Sequence, residues 1–537
     1  MSDPGSSTSN ALNTAFRHAL RFRAAENGEP VAATASHATL LAQLDGPLPR
    51  TGIAGAQVID ELVAAVEGGL HQVNGPRFFG WVMGGSLPGA LAADWLTSAW
   101  DQNAGLFTVA PAASVVEEVT GRWLKELLRL PHEASFALVT GCQMAHVTCL
   151  AAARHRVLAD RGWDVEQRGL AGAPPIRILT STEVHHTVHR AARLLGLGLD
   201  SVQALPANDA GQMDESALRV ALASDPDRPT IVLLQAGDLN VGAFDDFARL
   251  IPLAKEHRAW VHVDGAFGLW LRTNPRRRHL LHGVEAADSW ATDGHKWLNV
   301  PYDCGYAFLR DAEAHRGAFA LDAAYVHSVD QARDPFHWTP EWSRRARGFS
   351  TYAAIRELGA SGIGQMVEDC CTNAHALVMG MGSLPGAEVL AEPQMNQGLV
   401  RFLDPSPDAS DADHDQFTDV VTKRILAAGE ALFSNTTWRG RRAMRVSVCN
   451  WQTTAADVRQ VIASVKEVLA AARNEALQVR KAHYWREVGT GIYGRTVKRC
   501  ALKGSILHGR QARRSRSTGP RRRGRRVDRS LRSGRRK

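Results

Sequence analysis

Between residue 136 and about residue 310, short apolar runs alternate with segments of helical character, and this rhythm limits the possible folds more than any other feature. The runs are Phe136-Ala-Leu-Val-Thr140, Ile176-Arg-Ile-Leu-Thr180, Ile231-Val-Leu-Leu-Gln235, Trp260-Val-His-Val263 and Tyr306-Ala-Phe-Leu309. Strands that are apolar almost throughout need cover on both faces, and the intervening helices supply it. The pattern predicts an α/β fold with a mostly parallel central sheet. Ligands of such sheets collect at the carboxyl ends of the strands. The turn Thr140-Gly141-Cys142-Gln143 and the acid Asp264 both fall at such ends.

On either side the pattern changes. Residues 1–90 form an N-terminal helical segment in which Val58 to Glu67 has apolar positions at helical spacing. Helices are expected from Pro88 through Trp95 and from Ser114 to Leu130, the second with Glu117 and Glu118 early and Lys125 and Arg129 late, as the helix dipole favours. Residues 91–375 would be the large domain, ending in long helices over 345–380. Residues 376–475 would be a smaller α+β domain with strands Gly398–Phe402 and Ala443–Val448 and a closing helix Thr454–Ala472.

The formal charge of +8 is a property of one end. Residues 478–537 hold 21 Lys/Arg against 2 acids, whereas residues 1–477 hold 42 basic and 53 acidic residues, a net of −11. The overall basicity therefore does not point to nucleic acid. The segment 476–537 is expected to lack structure on its own. It is either a nucleic-acid-binding arm or a C-terminus read out of its ancestral frame. No stretch approaches the roughly 18 apolar residues of a membrane span. The first ten residues lack the apolar core of a signal peptide. Seven cysteines, an odd number without a Cys-x-x-Cys pair, suggest reduced thiols and a cytoplasmic protein.

Two residues carry the chemistry. Lys296 sits in Trp290-Ala-Thr-Asp-Gly-His-Lys-Trp297, and Asp264 lies 32 residues earlier at the end of an apolar run. An amine and an acid at strand exits are what bound pyridoxal phosphate needs. The amine holds the aldehyde as an imine, and the acid keeps the pyridine nitrogen protonated so that the ring accepts electrons. Burial should depress the pKa of such a lysine. The small-residue turn Gly141-Cys142-Gln143, leading into an Ala-rich helix, would direct backbone N–H groups at a phosphate. His185 and His189 have the i, i+4 spacing of metal ligands, but the usual Glu and a third ligand are missing, so no metal is expected. A flat imidazole stacked on a cofactor ring accounts for one of these histidines.

With these motifs in order, residues 70–470 resemble the group II pyridoxal-phosphate amino-acid decarboxylases, which include the aromatic-amino-acid and glutamate decarboxylases. The resemblance implies the aspartate-aminotransferase-like fold (fold type I) and a homodimer with active sites at the interface. It implies Lys296 as the Schiff-base lysine, His295 as a phosphate neighbour, and Asp264 as the partner of the ring nitrogen. Ala266 would pack beneath the ring, His185 would stack on it, and Gln235 would lie near it, with Gly141, Cys142 and Gln143 as the phosphate turn. Ala323-Ala-Tyr325-Val matches the family's loop tyrosine, making Tyr325 the general acid and residues 322–340 a protease-sensitive lid. Ser343 to Arg347 resembles the basic element that ends this loop. Pro76-Arg-Phe-Phe79 resembles a segment lining the substrate pocket, with Phe78 and Phe79 motivating an aromatic substrate; a place in the core would account for them equally well.

This chain departs from the family at two points. The phosphate turn lacks the serines common in relatives. Asp293 stands where aromatic-type members carry asparagine, so it should turn away from a phosphate or be neutralised by a base. The expected reaction is decarboxylation of an L-amino acid to the amine and carbon dioxide. Carbon–carbon lyase and aldehyde-forming deaminase chemistry are the alternatives on the same scaffold. Tyr325 argues against the deaminase, where that tyrosine is commonly phenylalanine. From another class, the tail alone would suggest a nucleic-acid-binding protein.

Overall fold

The apolar runs become members of one seven-stranded sheet: β1 (Ser135–Val139), β2 (Arg177–Ser181), β3 (Val202–Leu205), β4 (Thr230–Gln235), β5 (Trp260–Asp264), β6 (Ser289–Asp293) and β7 (Gly305–Leu309). A computed structural model describes residues 4–25, 30–321 and 332–501, and of 482–501 the backbone only. The strand order is β1-β7-β6-β5-β4-β2-β3. β7 is antiparallel to both neighbours, β1 and β6, while the other pairs are parallel. The six strands other than β7 therefore point the same way. Their carboxyl ends bring Thr140, Ser181, Gln235, Asp264 and Asp293 to one edge of the sheet.

Two strands, β3 and β6, are not marked by apolar runs. β3 pairs only with β2 at the margin of the sheet, where half-burial demands less apolar character. β6 mixes Ser289, Thr292 and Asp293 with Trp290 and Ala291, yet every one of its residues is buried. Its hydroxyls are satisfied inside: Ser289 Oγ accepts the Trp260 indole N–H at 2.9 Å, and Thr292 Oγ1 donates to the Ala266 carbonyl at 3.4 Å. A satisfied buried hydroxyl avoids the roughly 1–3 kcal/mol cost of an unpaired one.

The N-terminal helices are α1 (Pro4–Ala24), α2 (His37–Leu44) and α3 (Gly55–Val66), followed by α4 (Pro88–Trp100) and α5 (Pro111–Leu127). Both α4 and α5 begin with proline, whose missing N–H is harmless in a first turn. Between the strands lie α6 (Cys142–Ala159), α7 (Val165–Arg168), α8 (His186–Leu194), α9 (Glu215–Ser224), α10 (Phe247–Glu256) and α11 (Ala312–Phe319). Asp214, Asp246 and Asp311 cap α9, α10 and α11 through carboxylate acceptance of a backbone N–H. On one face of the sheet α6, packed against α8 and α11, buries an Ala/Val/Leu surface. On the other, Phe247, Leu250 and Ile251 of α10 join the large core with Trp270 and Trp290. Each fully buried Leu or Phe there contributes about 1.5–3 kcal/mol.

The long helix α12 (Gly348–Gly382) bends at Gly359, whose φ of 63° only glycine adopts readily. It leads to a four-stranded antiparallel sheet of β8 (Ala387–Ala391), β9 (Gln397–Phe402), β10 (Ser434–Trp438) and β11 (Arg441–Ser447), in the order β10-β11-β9-β8. With it go α13 (Asp411–Ala428), which starts in a Ser410/Asp413 capping box, and α14 (Ala455–Ala501).

Both sheets lie in one unit, Met1–Ala476, and Leu477–Lys537 is a second. Within the segment from 476 onward, expected to lack structure on its own, the backbone is helical as far as Ala501. Over residues 475–488 local propensity agrees with this, because they contain neither Gly nor Pro and are rich in Ala, Gln, Arg, Lys and Glu. Among the described residues no helix is long and apolar enough to cross a membrane.

Candidate active site

Lys296 occupies the connection between the antiparallel strands β6 and β7, just after Asp293, which pairs with Gly305. Trp297 and Leu298 on its C-terminal side are fully buried. Asn299, at φ 55°, ties this turn down. Its amide donates to the Trp297 and Cys449 carbonyls at 2.9 Å, and its Oδ1 accepts Gly85 N–H at 2.8 Å. With the backbone held on that side, the Lys296 side chain projects into a cavity of about 310 Å³. Gly141, Cys142, Gln143, His185, Gln235, Asp264, Ala266, His295 and Lys296 all line this cavity.

Charges in it are tightly arranged. Lys296 Nζ lies 3.0 Å from Asp293 Oδ2, and His295 Nε2 lies 3.5 Å from Asp293 Oδ1. Burial works to lower the Lys296 pKa, but Asp293, with smaller help from Asp264, outweighs it and holds the ammonium above its usual range. The expectation of a depressed lysine is thus reversed by an acid three residues away. For Asp264, burial pushes upward, yet His146, then His185 and Lys296, bring the carboxyl below the usual carboxylate range. Asp264 Oδ1 also accepts the Ala266 N–H at 3.1 Å. Burial lowers the pKa of both His185 and His295. Burial, then Asp264 and Asp293, raises the Cys142 thiol well above normal, so it stays protonated.

Asp293 does not turn away. Its Oδ1 accepts the Cys142 N–H at 2.5 Å, at the N-terminus of α6, and its charge is met by Lys296, with His295 Nε2 beside it. The turn therefore already holds an anionic oxygen, which tests its fitness for a phosphate. Gln143 Oε1, buried without a hydrogen-bond partner, is a further polar atom at the same turn. A Cβ on Gly141 would press on the His295 ring, so glycine keeps this corner open.

His185 is the N-cap of α8, its φ of −71° and ψ of 140° being extended, and its Nδ1 accepts Thr187 N–H. The i, i+4 relation to His189 is consequently broken. His189 faces His186 instead, at 5.9 Å between ring centroids. His295 stacks on Tyr302 at 4.2 Å, and its Nδ1 accepts Cys304 N–H.

Three sequence expectations fare differently. Phe78 and Phe79 are both buried in the core, and neither is among the described residues lining the cavity. Phe79 stacks on Phe433 at 5.4 Å, and Phe78 packs with Val31 and Leu432, so their rings are consumed by packing. Tyr325 lies outside the described residues. Sequence reasoning missed His146, Thr187, Leu239 and Phe267, which also line the cavity. Cys142, His146 and Asp264 bring ligand-type atoms within 4.8 Å of one another, but they are walls of this same cofactor-sized cavity.

A mostly parallel sheet with a lysine beyond one strand and an aspartate ending its neighbour defines a pyridoxal-phosphate enzyme of fold type I. The chain belongs to the pyridoxal-dependent decarboxylases, whose conserved domain matches residues 38–403. Pyridoxal 5'-phosphate is its cofactor and amino-acid decarboxylation its class of reaction. It is 25% identical to an aromatic-L-amino-acid decarboxylase of Bacillus atrophaeus, across 82% of this chain and 90% of that protein. It is 28% identical to an L-2,4-diaminobutyrate decarboxylase of Rhizobium meliloti (strain 1021), across 70% and 74%. The human cysteine sulfinic acid decarboxylase is 26% identical, across 77% and 86%. Among solved structures, Oryza sativa TDC with PLP and tryptamine has the same fold: TM-score 0.82 at 22% identity, covering 88% of this chain and 99% of that one.

Proposed function

We propose that this enzyme converts an aromatic L-amino acid to the corresponding amine and carbon dioxide. The observation that carries the reading is the meeting of Lys296 and Asp264, far apart in sequence, as walls of one cavity at the sheet's carboxyl edge. Bound there, pyridoxal phosphate supplies an electron sink for the charge left on Cα when carbon dioxide departs. Lys296 Nζ anchors the aldehyde covalently, and Asp264 keeps a proton on the ring nitrogen. Gly141, Cys142, Gln143 and His295 hold the phosphate. His185 contributes the stacking imidazole, and Ala266 and Gln235 line the remaining faces. Tyr325 returns the proton to Cα.

An aromatic side chain is supported by Phe267 and Leu239 in the cavity wall and by the aromatic decarboxylase among the relatives. Apart from Lys296, no Lys or Arg is among the described lining residues, which disfavours an acidic side chain such as a sulfinate. A homodimer fits the apolar side chains left exposed on α1, α3 and α4, including Leu12, Phe16, Leu62, Trp95 and Trp100. The six described cysteines are free, buried thiols, in keeping with a cytoplasmic setting.

The test is a screen of the purified protein against the twenty amino acids for released carbon dioxide, with Lys296→Ala as control. Release from aromatic substrates by the wild type alone supports the proposal. Release only from diaminobutyrate or cysteine sulfinate in an extended panel would overturn the substrate class, and no release at all would shift weight to lyase chemistry.

A further inference from the structure

Beneath Asp264 runs a buried polar chain that the reaction as proposed does not use. His146 Nε2 lies 3.4 Å from Asp264 Oδ2. His146 Nδ1 is 2.9 Å from His262 Nε2, and His262 Nδ1 is 2.9 Å from Ser289 Oγ. Ser289 Oγ in turn accepts the Trp260 indole N–H at 2.9 Å. His146, His262 and Ser289 have no exposure to solvent. They come from three elements, α6, β5 and β6, so no single turn or cap accounts for their meeting.

We infer that His146 and His262 are positioning residues: a two-histidine relay, seated on Ser289 and Trp260, that fixes the Asp264 carboxylate against the cofactor's ring nitrogen. The inference rests on the pyridoxal-phosphate reading of the cavity. Donor and acceptor roles follow from the two ends of the chain. An ionised carboxylate only accepts, so His146 Nε2 carries a hydrogen. At the other end the Ser289 hydroxyl donates to His262 Nδ1, so a neutral His262 carries its hydrogen on Nε2 and donates it to His146 Nδ1. The Ser289 oxygen meanwhile receives the Trp260 N–H. Each group meets its need once, and the polarity of the chain runs toward Asp264. Burial holds the His262 pKa down at about 3, which keeps this ring neutral as the scheme requires. The Cys142 thiol, 3.5 Å from His146 Nε2 and 3.9 Å from Asp264 Oδ1, flanks the same junction.

A purely structural role is a poor match for this arrangement. A hydrogen-bonded pair inside a core can often be replaced by apolar groups of the same shape at little cost to stability. Elsewhere the buried face of α6 is Ala, Val, Leu and Cys with one Thr, whose hydroxyl bonds to the Met144 carbonyl of its own helix. What the histidines add is direction at one carboxylate, as partners behind a site-forming residue commonly do.

The experiment compares full-length wild type with His262→Leu, His262→Gln and Ser289→Ala. Apoprotein is titrated with pyridoxal phosphate, its ring nitrogen ¹⁵N-labelled, and thermal unfolding is followed in parallel. Gln retains an N–H donor where His262 Nε2 stands; Leu does not. The relay predicts that His262→Leu weakens cofactor binding about tenfold or more and moves the ring-nitrogen resonance toward the unprotonated position. His262→Gln should recover most of both, and Ser289→Ala should move both the same way by less. Wild-type affinity and an unmoved resonance in a folded Leu variant would overturn the relay, as would equal losses in Leu and Gln. If the Leu variant does not fold, Ser289→Ala decides, an unmoved resonance there being fatal. A wild type that binds no pyridoxal phosphate would instead sink the cofactor reading itself.

Discussion

Replacing Asp293 by asparagine should make the apoenzyme take up its cofactor faster at neutral pH. Asp293 Oδ2 stands 3.0 Å from Lys296 Nζ, and its charge is what lifts this buried lysine above the usual range. At that distance and an effective dielectric constant of about 20, the attraction is about 5 kcal/mol before competing contacts are counted. His295 and the Cys142 N–H share the same carboxylate, so about half of this is assigned to Lys296. That corresponds to about two pKa units, since one unit is about 1.4 kcal/mol. With the charge gone, burial pulls the lysine downward against only the smaller upward pull of Asp264. The free amine needed to attack an aldehyde should rise about 100-fold at pH 7 by the same conversion. Asparagine keeps an oxygen for the Cys142 N–H, so the turn itself is preserved. Stopped-flow mixing of apoprotein with pyridoxal phosphate, following the visible imine band from pH 6 to 9, reads the effect. The rate profile of Asp293→Asn should move to lower pH by about two units. An unmoved profile, or slower uptake at pH 7, would refute the electrostatic account of this site.

Three further outcomes are expected. Tyr325→Phe should reduce amine formation by about 10²–10⁴-fold, as loss of a positioned acid does, while leaving cofactor absorbance unchanged. Glu117, buried between Arg344 at 2.6 Å and Arg333 at 3.1 Å, is the carboxylate shared by two guanidinium groups. Glu117→Gln should cost about 3–5 kcal/mol in urea unfolding, and a loss below about 1 kcal/mol would contradict this. Burial holds the fully enclosed His315 at about pH 3, against 6.5 in its ordinary state. The unfolded chain therefore binds a proton that the folded one refuses, and stability falls as pH drops from 6.5 toward 3. His315→Gln should lose about 2–3 kcal/mol less than wild type between pH 7 and pH 4.5, measured by urea unfolding at both.

The central sheet was legible because apolar runs mark strands buried on both faces, and the chemistry was legible because Asp264 and Lys296 sit at strand exits. The relay behind Asp264 was not. His146 lies inside an Ala-rich helix, and His262 is 116 residues away on β5, so no local spacing joins them. β6 escaped the apolar pattern because its hydroxyls are satisfied internally rather than excluded from the core. Phe78 and Phe79 could not be placed from sequence, because an aromatic pair in an irregular segment reads alike whether it faces a pocket or a core. The His185/His189 spacing has no ligand meaning for a geometric reason as well: an N-cap residue lies off the helical path, so i, i+4 no longer means a shared face.

Borohydride reduction of the protein reconstituted with pyridoxal phosphate, followed by peptide mass spectrometry, addresses the covalent anchor directly. A single pyridoxyl-phosphate adduct on the peptide containing Lys296, lost in Lys296→Ala together with the visible absorbance, is the predicted result. An unmodified Lys296, or an adduct at another lysine, would contradict the account.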